Sequence, residues 1–192
     1  MIIRLVIRTH DLVFNTLTRF AGDWFLGLAA RLVLSSVLLV FFLRSAATKV
    51  GDGFPGILVP EIGAYAQIVP SVAESVSYDV SQIAFIPWGL IVHLGTYAEV
   101  LLPLMILFGL FTRAASMAMI AFIAVMTFVD IQFHGVSAEA VGAFFDRTHD
   151  SPITDQRLLW AFPLAYLMIR GGGRLSLDAV LRQYMRPPSG TS

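Results

Sequence analysis

The sequence contains no cysteine, and charged residues make up only 14% of its 192 residues. The absence of cysteine excludes disulfide bonds, thiol relays, thiolate zinc sites and cysteine-ligated iron–sulfur clusters. The formal net charge is zero, so no overall basic field points to nucleic acid as a partner. Soluble domains usually contain about 25% charged residues. Because 57% of this chain is hydrophobic, we expect its main partner to be the lipid bilayer.

Four apolar segments qualify as transmembrane helices, since a bilayer core needs about 20 mainly apolar residues per helix. The last is the weakest, because its purely apolar part, Leu158 to Ile169, is only roughly 18 Å long. The first starts at Phe25, too far along the chain and too long for a secretory signal. We therefore predict an all-α bundle of four transmembrane helices, with residues 1–192 as a single integral membrane domain. The predicted spans are about 25–43, 84–110, 114–133 and 153–172.

Basic residues are distributed unevenly between the two sides of this bundle. The long loops 44–83 and 134–152 carry only Arg44, Lys49 and Arg147, together with most of the acidic residues. Because Lys and Arg near span ends favour the cytoplasm, both termini are expected to be cytoplasmic and both long loops outside. The opposite side carries Arg4, Arg8, Arg19, Arg113, Arg170, Arg174, Arg182 and Arg186.

Amphipathic segments flank the predicted spans. Residues 1–24 carry apolar side chains at helical spacing with arginines between them, which indicates a helix lying in the membrane interface. A similar interfacial helix is predicted from Leu175 to Met185, with Ser176 as its N-cap. Short helices are also expected in the outer loops, within 54–83 and at Val136–Phe145.

Glu99 lies in the middle of the longest apolar stretch, which otherwise contains only His93 and Tyr97 as ionisable side chains. A carboxylate at this depth costs several kcal/mol unless it is paired, protonated or facing water. Arg31 of the first span is the expected partner, because its long side chain can reach along the helix. Two interpretations stay open: Glu99 carries a proton or binds a ligand, or the pair only fixes helix register.

A second polar group is predicted near the outer side, where Arg44, His93, Asp130, His134, Asp155 and Arg157 reach a similar depth. Asp130 and His134 are four residues apart, a spacing that permits a shared metal or a hydrogen bond. The hydrogen bond is favoured and no metal is assigned. Glu99, His93 and Asp130 are the catalytic candidates. The ligand-binding candidates are Arg31, His93, Tyr97, Glu99, Asp130, Asp155 and Arg157.

Three stretches resemble the DoxX family of small four-helix bacterial membrane proteins. They are RLVLSSVLLVFFLRSAATKV at 31–50, AEVLLPLMILFGLFTRAASMAMIAFIAVM at 98–126, and GGGRLSLDAVL at 171–181. The resemblance implies a bundle in the bacterial inner (plasma) membrane and an association with redox or stress-response complexes. Related quinone-reactive enzymes use cysteines, so thiol oxidation is not the chemistry of this chain.

Three functions are compatible with these features. In the first, the chain is a quinone-interacting subunit of an oxidoreductase, and His93, Tyr97, Glu99 and Asp130 surround the quinone head group. Alternatively, it is a non-catalytic anchor or assembly subunit that docks other proteins of a redox complex. The third function is a small transporter or metal-handling protein that uses His134 and Asp130. No cofactor is assigned with certainty; quinone is the candidate, and any catalysis would be as a component of a quinone-linked oxidoreductase.

Overall fold

The computed structural model describes residues 1–22 and 24–185, so Arg186 of the predicted basic tail lies outside the described residues. The described residues form no β-strand, and a single isolated bridge joins Val50 and Pro60. A short 3₁₀ turn, Val80–Gln82, and a π-helical turn, Phe85–Gly89, precede the second long apolar helix. The α-helices of this part are α1 (Ile2–Ala21), α2 (Phe25–Ala47), α3 (Gly53–Gly56), α4 (Ile62–Ile68), α5 (Pro70–Ser75), α6 (Leu90–Phe108), α7 (Thr112–Phe133), α8 (Ala138–Val141), α9 (Thr154–Arg170) and α10 (Leu177–Tyr184).

Helices α2, α6, α7 and α9 pack around one apolar core. They form a ring in which α2 contacts α6 and α9, and α7 contacts the same two helices. Leu34, Leu38 and Phe42 lie on one face of α2 because they are four residues apart, and all three are buried. The other buried core residues are Ile106, Ala115, Met119, Ile123, Leu164 and Leu167.

Three helical segments are long and apolar enough to cross a membrane: Phe25–Ala47, Phe85–Phe108 and Thr112–Phe133. They coincide with the first three predicted spans, although the first is extended by four residues beyond the predicted end. Helix α9 has only 17 residues and is not among them. Its packing beside α2 and α7 agrees with the bundle that the sequence predicts, but whether α9 crosses the bilayer stays a prediction.

The end of the bundle at which α6 and α7 meet is called the turn end, and two distant side chains hold it. Gly109 ends α6 with φ of +67°, which glycine adopts without steric cost. Helix α7 has no side-chain cap of its own; Asp178 of α10 accepts hydrogen bonds from the backbone N–H groups of Phe111 (2.6 Å) and Thr112 (2.8 Å). The carboxylate also suits the positive end of the helix dipole.

Arg31 is the second residue that holds the turn end. Its guanidinium donates to the backbone oxygen of Leu107 at 3.0 Å and to that of Leu175. The side chain is buried, with 2% of the residue exposed. Arg31 therefore joins the start of α2 to the end of α6 and to the segment that leads into α10.

The opposite end, where α2 and α7 finish and α6 and α9 begin, is called the loop end. Helices α4 and α5 pack on the start of α6 through a small core that includes Tyr65, Val69 and Val92. The predicted helix at Val136–Phe145 is present only as α8, because Gly142 breaks it with φ of +68°. Ser137 caps α8.

The predicted terminal helices are both helical. Helix α1 buries none of its residues against the other described residues. Ser176 caps α10 by accepting a hydrogen bond from the backbone N–H of Ala179 at 3.2 Å, as predicted. Their position in the membrane interface stays a prediction.

Candidate functional site

A cavity of about 690 Å³ lies at the loop end between α6 and α7, and α4 covers its outer side. Ile91, Leu94 and Val125 line it and are also exposed on the outside of the bundle, so the cavity opens sideways between the two helices. Most of its other walls are apolar. They include Phe41, Ile68, Gly95, Ala98, Leu102, Ala118, Ala121, Phe122, Met126 and Val129.

Glu99 lines this cavity and forms an ion pair with Lys49, which follows the end of α2. The Lys49 Nζ to Glu99 Oε2 distance is 3.0 Å, and only 3% and 6% of the two side chains are exposed. Lys49 Nζ also donates to the hydroxyl of Ser45 at 2.7 Å and to its backbone oxygen at 3.3 Å. The ammonium is thus surrounded by three acceptors, whereas Glu99 Oε1 accepts no hydrogen bond from the described residues.

The predicted pair of Arg31 with Glu99 is wrong. Arg31 lies near the turn end and donates to backbone oxygens there. Lys49 is about 27 Å farther along the chain direction of α2, at 1.5 Å per residue. Glu99 projects towards the loop end and meets Lys49 instead, so the neutralising cation comes from the residue that the sequence had assigned to the outer loop.

Asp130 and Arg157 form the second ion pair on the cavity wall. Arg157 Nη2 donates to Asp130 Oδ2, and Nη1 donates to Thr127 Oγ1 at 2.7 Å. With 13% and 26% of the two side chains exposed, Arg157 and Asp130 are less enclosed than Lys49 and Glu99. The convergence of α7 and α9 at this depth agrees with the sequence-based expectation.

His134 also lines the cavity, but the predicted hydrogen bond between its imidazole and the Asp130 carboxylate is wrong. Its Nε2 lies 3.1 Å from the backbone oxygen of Gln67 on α4. Gln67 in turn donates to Thr48 Oγ1 at 3.2 Å, so it bridges the ends of α2 and α7 above the cavity. Among residues 1–22 and 24–185 there is no cluster of three His, Cys, Asp or Glu side chains arranged to hold a metal.

The remaining predicted site residues lie away from the cavity. His93 Nδ1 is 2.7 Å from the oxygen of Gly89, and Tyr97 Oη donates to the oxygen of Leu58. The His93 contact lies within the first turns of its own helix, whereas Tyr97 ties the segment around Leu58 to α6. Tyr97 faces away from the cavity because Glu99 is about 200° around the helix from it. The Asp155 carboxylate accepts hydrogen bonds from the backbone N–H and the hydroxyl of Ser151, and the Asp155 N–H donates to Ser151 Oγ at 3.1 Å, so the two residues tie the segment before α9 to its first turn.

Ser45, Lys49 and Gln67 are the polar cavity residues that were not among the site candidates. Gln67 carries no sequence signal, because it is one polar residue in an outer loop. Lys49 does carry one, since it is the only lysine in the chain and every other basic side chain is arginine or histidine. A compact ammonium fits between Ser45 and Glu99, whereas the planar guanidinium of arginine needs more room.

The comparison with known proteins covers the cavity-forming helices. Residues 26–132 match the DoxX family, which is more than half of the chain and includes α2 to α7 almost completely. The segment 171–181, which also resembles the family, lies outside this match. No curated protein and no solved structure is significantly similar to the chain. The matched region contains both members of the Lys49–Glu99 pair, and the chain belongs to the DoxX family of membrane proteins.

Proposed function

We propose that this chain is a quinone-binding subunit of a redox or stress-response complex in the bacterial inner membrane. The single observation that supports the proposal most is the composition of the loop-end cavity. Its walls are apolar except where two ion pairs, Lys49–Glu99 and Arg157–Asp130, reach it beside Gln67 and His134. A largely apolar cavity with a few converging polar groups is the usual form of a site for an amphipathic small molecule.

The cavity fits the requirements of a quinone better than those of a polar solute. A quinone head group needs hydrogen-bond donors near its two carbonyl oxygens. Arg157 has N–H groups beyond those that bind Asp130 and Thr127, and Lys49 becomes the second charged donor at the wall when it exchanges one of its bonds to Ser45 for the ligand. Glu99 Oε1 is the free acceptor for a proton on the reduced ligand. Because the cavity opens between α6 and α7, an isoprenoid tail can stay in the bilayer while the head group enters.

The proposal includes the disposition of the chain in the membrane. Residues 1–192 form one integral membrane domain with four spans, the fourth being α9, and both termini are cytoplasmic. The apolar part of α9 is shorter than the bilayer core, so Asp155 and Arg157 at its loop end are expected to lie at the membrane edge. In this arrangement a partner subunit supplies two electrons to bound quinone or accepts two from bound quinol. This chain binds the head group and takes up or releases the two protons.

The single lysine provides a direct test of the proposal. A small lysine-directed acylating reagent can modify only Lys49 among the side chains, and mass spectrometry gives the rate. A short-chain ubiquinone analogue is expected to slow the modification about tenfold, because it occupies the cavity in front of the amine. An alkylbenzene of the same length without carbonyl groups is the ligand control and is expected to protect much less.

Two matched carboxylate variants complete this test. Asp130→Asn is expected to weaken quinone protection about tenfold, since it releases Arg157 from its ion pair. Asp52→Asn removes an exposed carboxylate outside the cavity and is expected to leave protection unchanged. Equal protection by the quinone and the alkylbenzene, with no quinone in lipid extracts of the purified protein, would contradict the proposal.

A second candidate function, a non-catalytic assembly subunit, is favoured by α1. This 20-residue amphipathic helix buries none of its residues against the rest of the described chain. Deletion of residues 2–21 is then expected to release partner subunits from the native complex while the remaining helices stay folded. Retention of all partners by the shortened chain would remove this candidate, whereas a loss of quinone protection at Lys49 would not bear on it.

A further inference from the structure

A second cavity, of about 350 Å³, lies at the turn end, on the opposite side of the bundle from the Lys49–Glu99 pair. It is formed where α1 leads into α2, where α7 begins and where α9 ends. Its lining is polar and basic, and none of its described lining residues is acidic. The residues are Gly22, Gly27, Arg113, Tyr166, Arg170 and Gly173, with Ile169 and Gly171 beside them.

The two arginines of this cavity are held differently. Arg113 Nη2 donates to the backbone oxygen of Ile169 at 2.8 Å, which fixes the guanidinium between α7 and α9. The Arg170 side chain makes no hydrogen bond and no ion pair with the described residues. Two guanidinium groups that have no acidic partner among the described residues form a site for an anion, and their planar forks match phosphate oxygens.

Backbone donors supplement the arginines. The N–H groups of Gly172 and Gly173 have no acceptor among the described residues, although Gly172 is buried. Gly27 of α2 lies against this segment, and a Cβ at that position would be 2.9 Å from the Gly172 carbonyl carbon and 3.0 Å from Gly173 N. The missing side chain therefore lets α2 approach and leaves the Gly173 amide uncovered beside the cavity. Buried donors without acceptors are rare in folded proteins, and a bound acceptor satisfies them.

The depth of the cavity indicates where the anion comes from. Helix α2 begins at Phe25, α7 begins at Thr112 and α9 ends at Arg170, so the apolar parts of three helices stop at this level. This is the level of lipid head groups in any helix bundle that spans a bilayer. Basic pockets between helix ends at this level are suited to anionic lipid head groups.

We propose that the turn-end cavity binds a phosphate group, held by Arg113, Arg170 and the Gly173 amide, with the Tyr166 hydroxyl at its edge. The phosphate is either the head group of an anionic phospholipid or a free phosphate ion, and the chemistry of recognition is the same. The proposal does not depend on quinone binding, because the two cavities share no lining residue.

The test uses the full chain in nanodiscs and compares two double variants with equal charge change. Arg113→Gln with Arg170→Gln removes the proposed site. The control, Arg44→Gln with Arg182→Gln, removes two exposed arginines that do not line the cavity. Native mass spectrometry then measures the retention of phosphatidylglycerol against phosphatidylcholine, and phosphorus NMR measures the binding of inorganic phosphate.

Wild type and control are expected to retain phosphatidylglycerol or to bind inorganic phosphate, and the site variant to bind about tenfold more weakly. Retention of the lipid alone assigns the phospholipid as the source, and binding of inorganic phosphate assigns the free ion. Arg170→Gln alone provides a folded variant if loss of the Arg113 contact impairs folding, because Arg170 makes no hydrogen bond with the described residues. Equal lipid retention by the site variant and the control, with no phosphate binding, would overturn the proposal.

Discussion

The two ends of the bundle bury charge in different ways. At the turn end, Arg31 and Asp178 bond mainly to backbone groups of distant segments. At the loop end, Lys49 and Glu99 bond to each other beside a cavity of about 690 Å³. A charge that satisfies backbone groups fixes the chain, and a charge that faces a cavity is available to a ligand. Burial of charge therefore stabilises the structure at the turn end and supports the proposed ligand binding at the loop end.

The largest expected effect comes from breaking the loop-end pair on one side only. Glu99→Leu leaves the buried Lys49 ammonium without its counter-charge and is expected to lower the free energy of unfolding by about 3–5 kcal/mol. The double variant Lys49→Met with Glu99→Leu is expected to recover most of this loss, because well-packed apolar residues replace a buried pair without penalty. Chemical denaturation in detergent measures both values. A double variant as unstable as the single one would make the pair a structural element like Arg31.

Removal of Arg31 is the corresponding change at the turn end. Arg31→Met deprives the backbone oxygens of Leu107 and Leu175 of a charged donor and is expected to cost about 3 kcal/mol. No second substitution rescues this loss, since the acceptors belong to the backbone. Thermal unfolding is the measurement, with Arg44→Met as the exposed control. Quinone protection of Lys49 at temperatures where the variant stays folded is expected to be unchanged.

A smaller effect is expected when the close packing at the turn end is disturbed. Gly27→Ala places a Cβ at 2.9 Å from the Gly172 carbonyl carbon, so one backbone segment must shift. Overpacking of this kind typically costs about 1–3 kcal/mol. The shift is expected to lower thermal stability and to weaken phosphate binding together. Unchanged phosphate binding in a destabilised Gly27→Ala variant would show that the Gly173 amide is not used.

The smallest effect concerns the loop-end segment that precedes α6. Hydrogen bonds from Gln82 and Ser81 lower the pKa of Asp79 below its usual value. A carboxylate with a lowered pKa in the folded chain stabilises it above the unfolded pKa, and the contribution is lost as the pH falls through the folded value. Asp79→Ala is thus expected to lower the unfolding temperature slightly at pH 7 and to have no effect at strongly acidic pH. A difference that persists in acid would assign the effect to packing.

Much of the fold could be predicted from the sequence because lipid imposes simple rules on it. The apolar lengths identified α2, α6 and α7, and Ser176 was recognised as a cap from its position before an amphipathic segment. The prediction for Glu99 was wrong in one respect, since depth along a helix does not tell which way a side chain projects. Two residues at a similar depth, such as His93 and Asp130, can project from their helices in different directions and therefore need not share a site.

The partners of the buried charges were harder to predict for a physical reason. Arg31 and Asp178 bind backbone atoms, which every residue has, so no sequence pattern points to their partners. Lys49 was different, since its isolation among arginines was visible in the sequence. A single lysine among arginines is informative because the two side chains carry the same charge but differ in shape and hydrogen-bonding geometry.

The tie between Arg31 and Leu175 also affects how the protein is made. The two residues are 144 positions apart, so the first apolar helix leaves the ribosome roughly 10–30 s before its last partner exists. During that interval Arg31 must be solvated by water, lipid phosphates or the insertion machinery. Helix α2 can meet α6 earlier through Leu107 and Glu99, but the Arg31 tie to Leu175 can form only after the C-terminal segment has been synthesised.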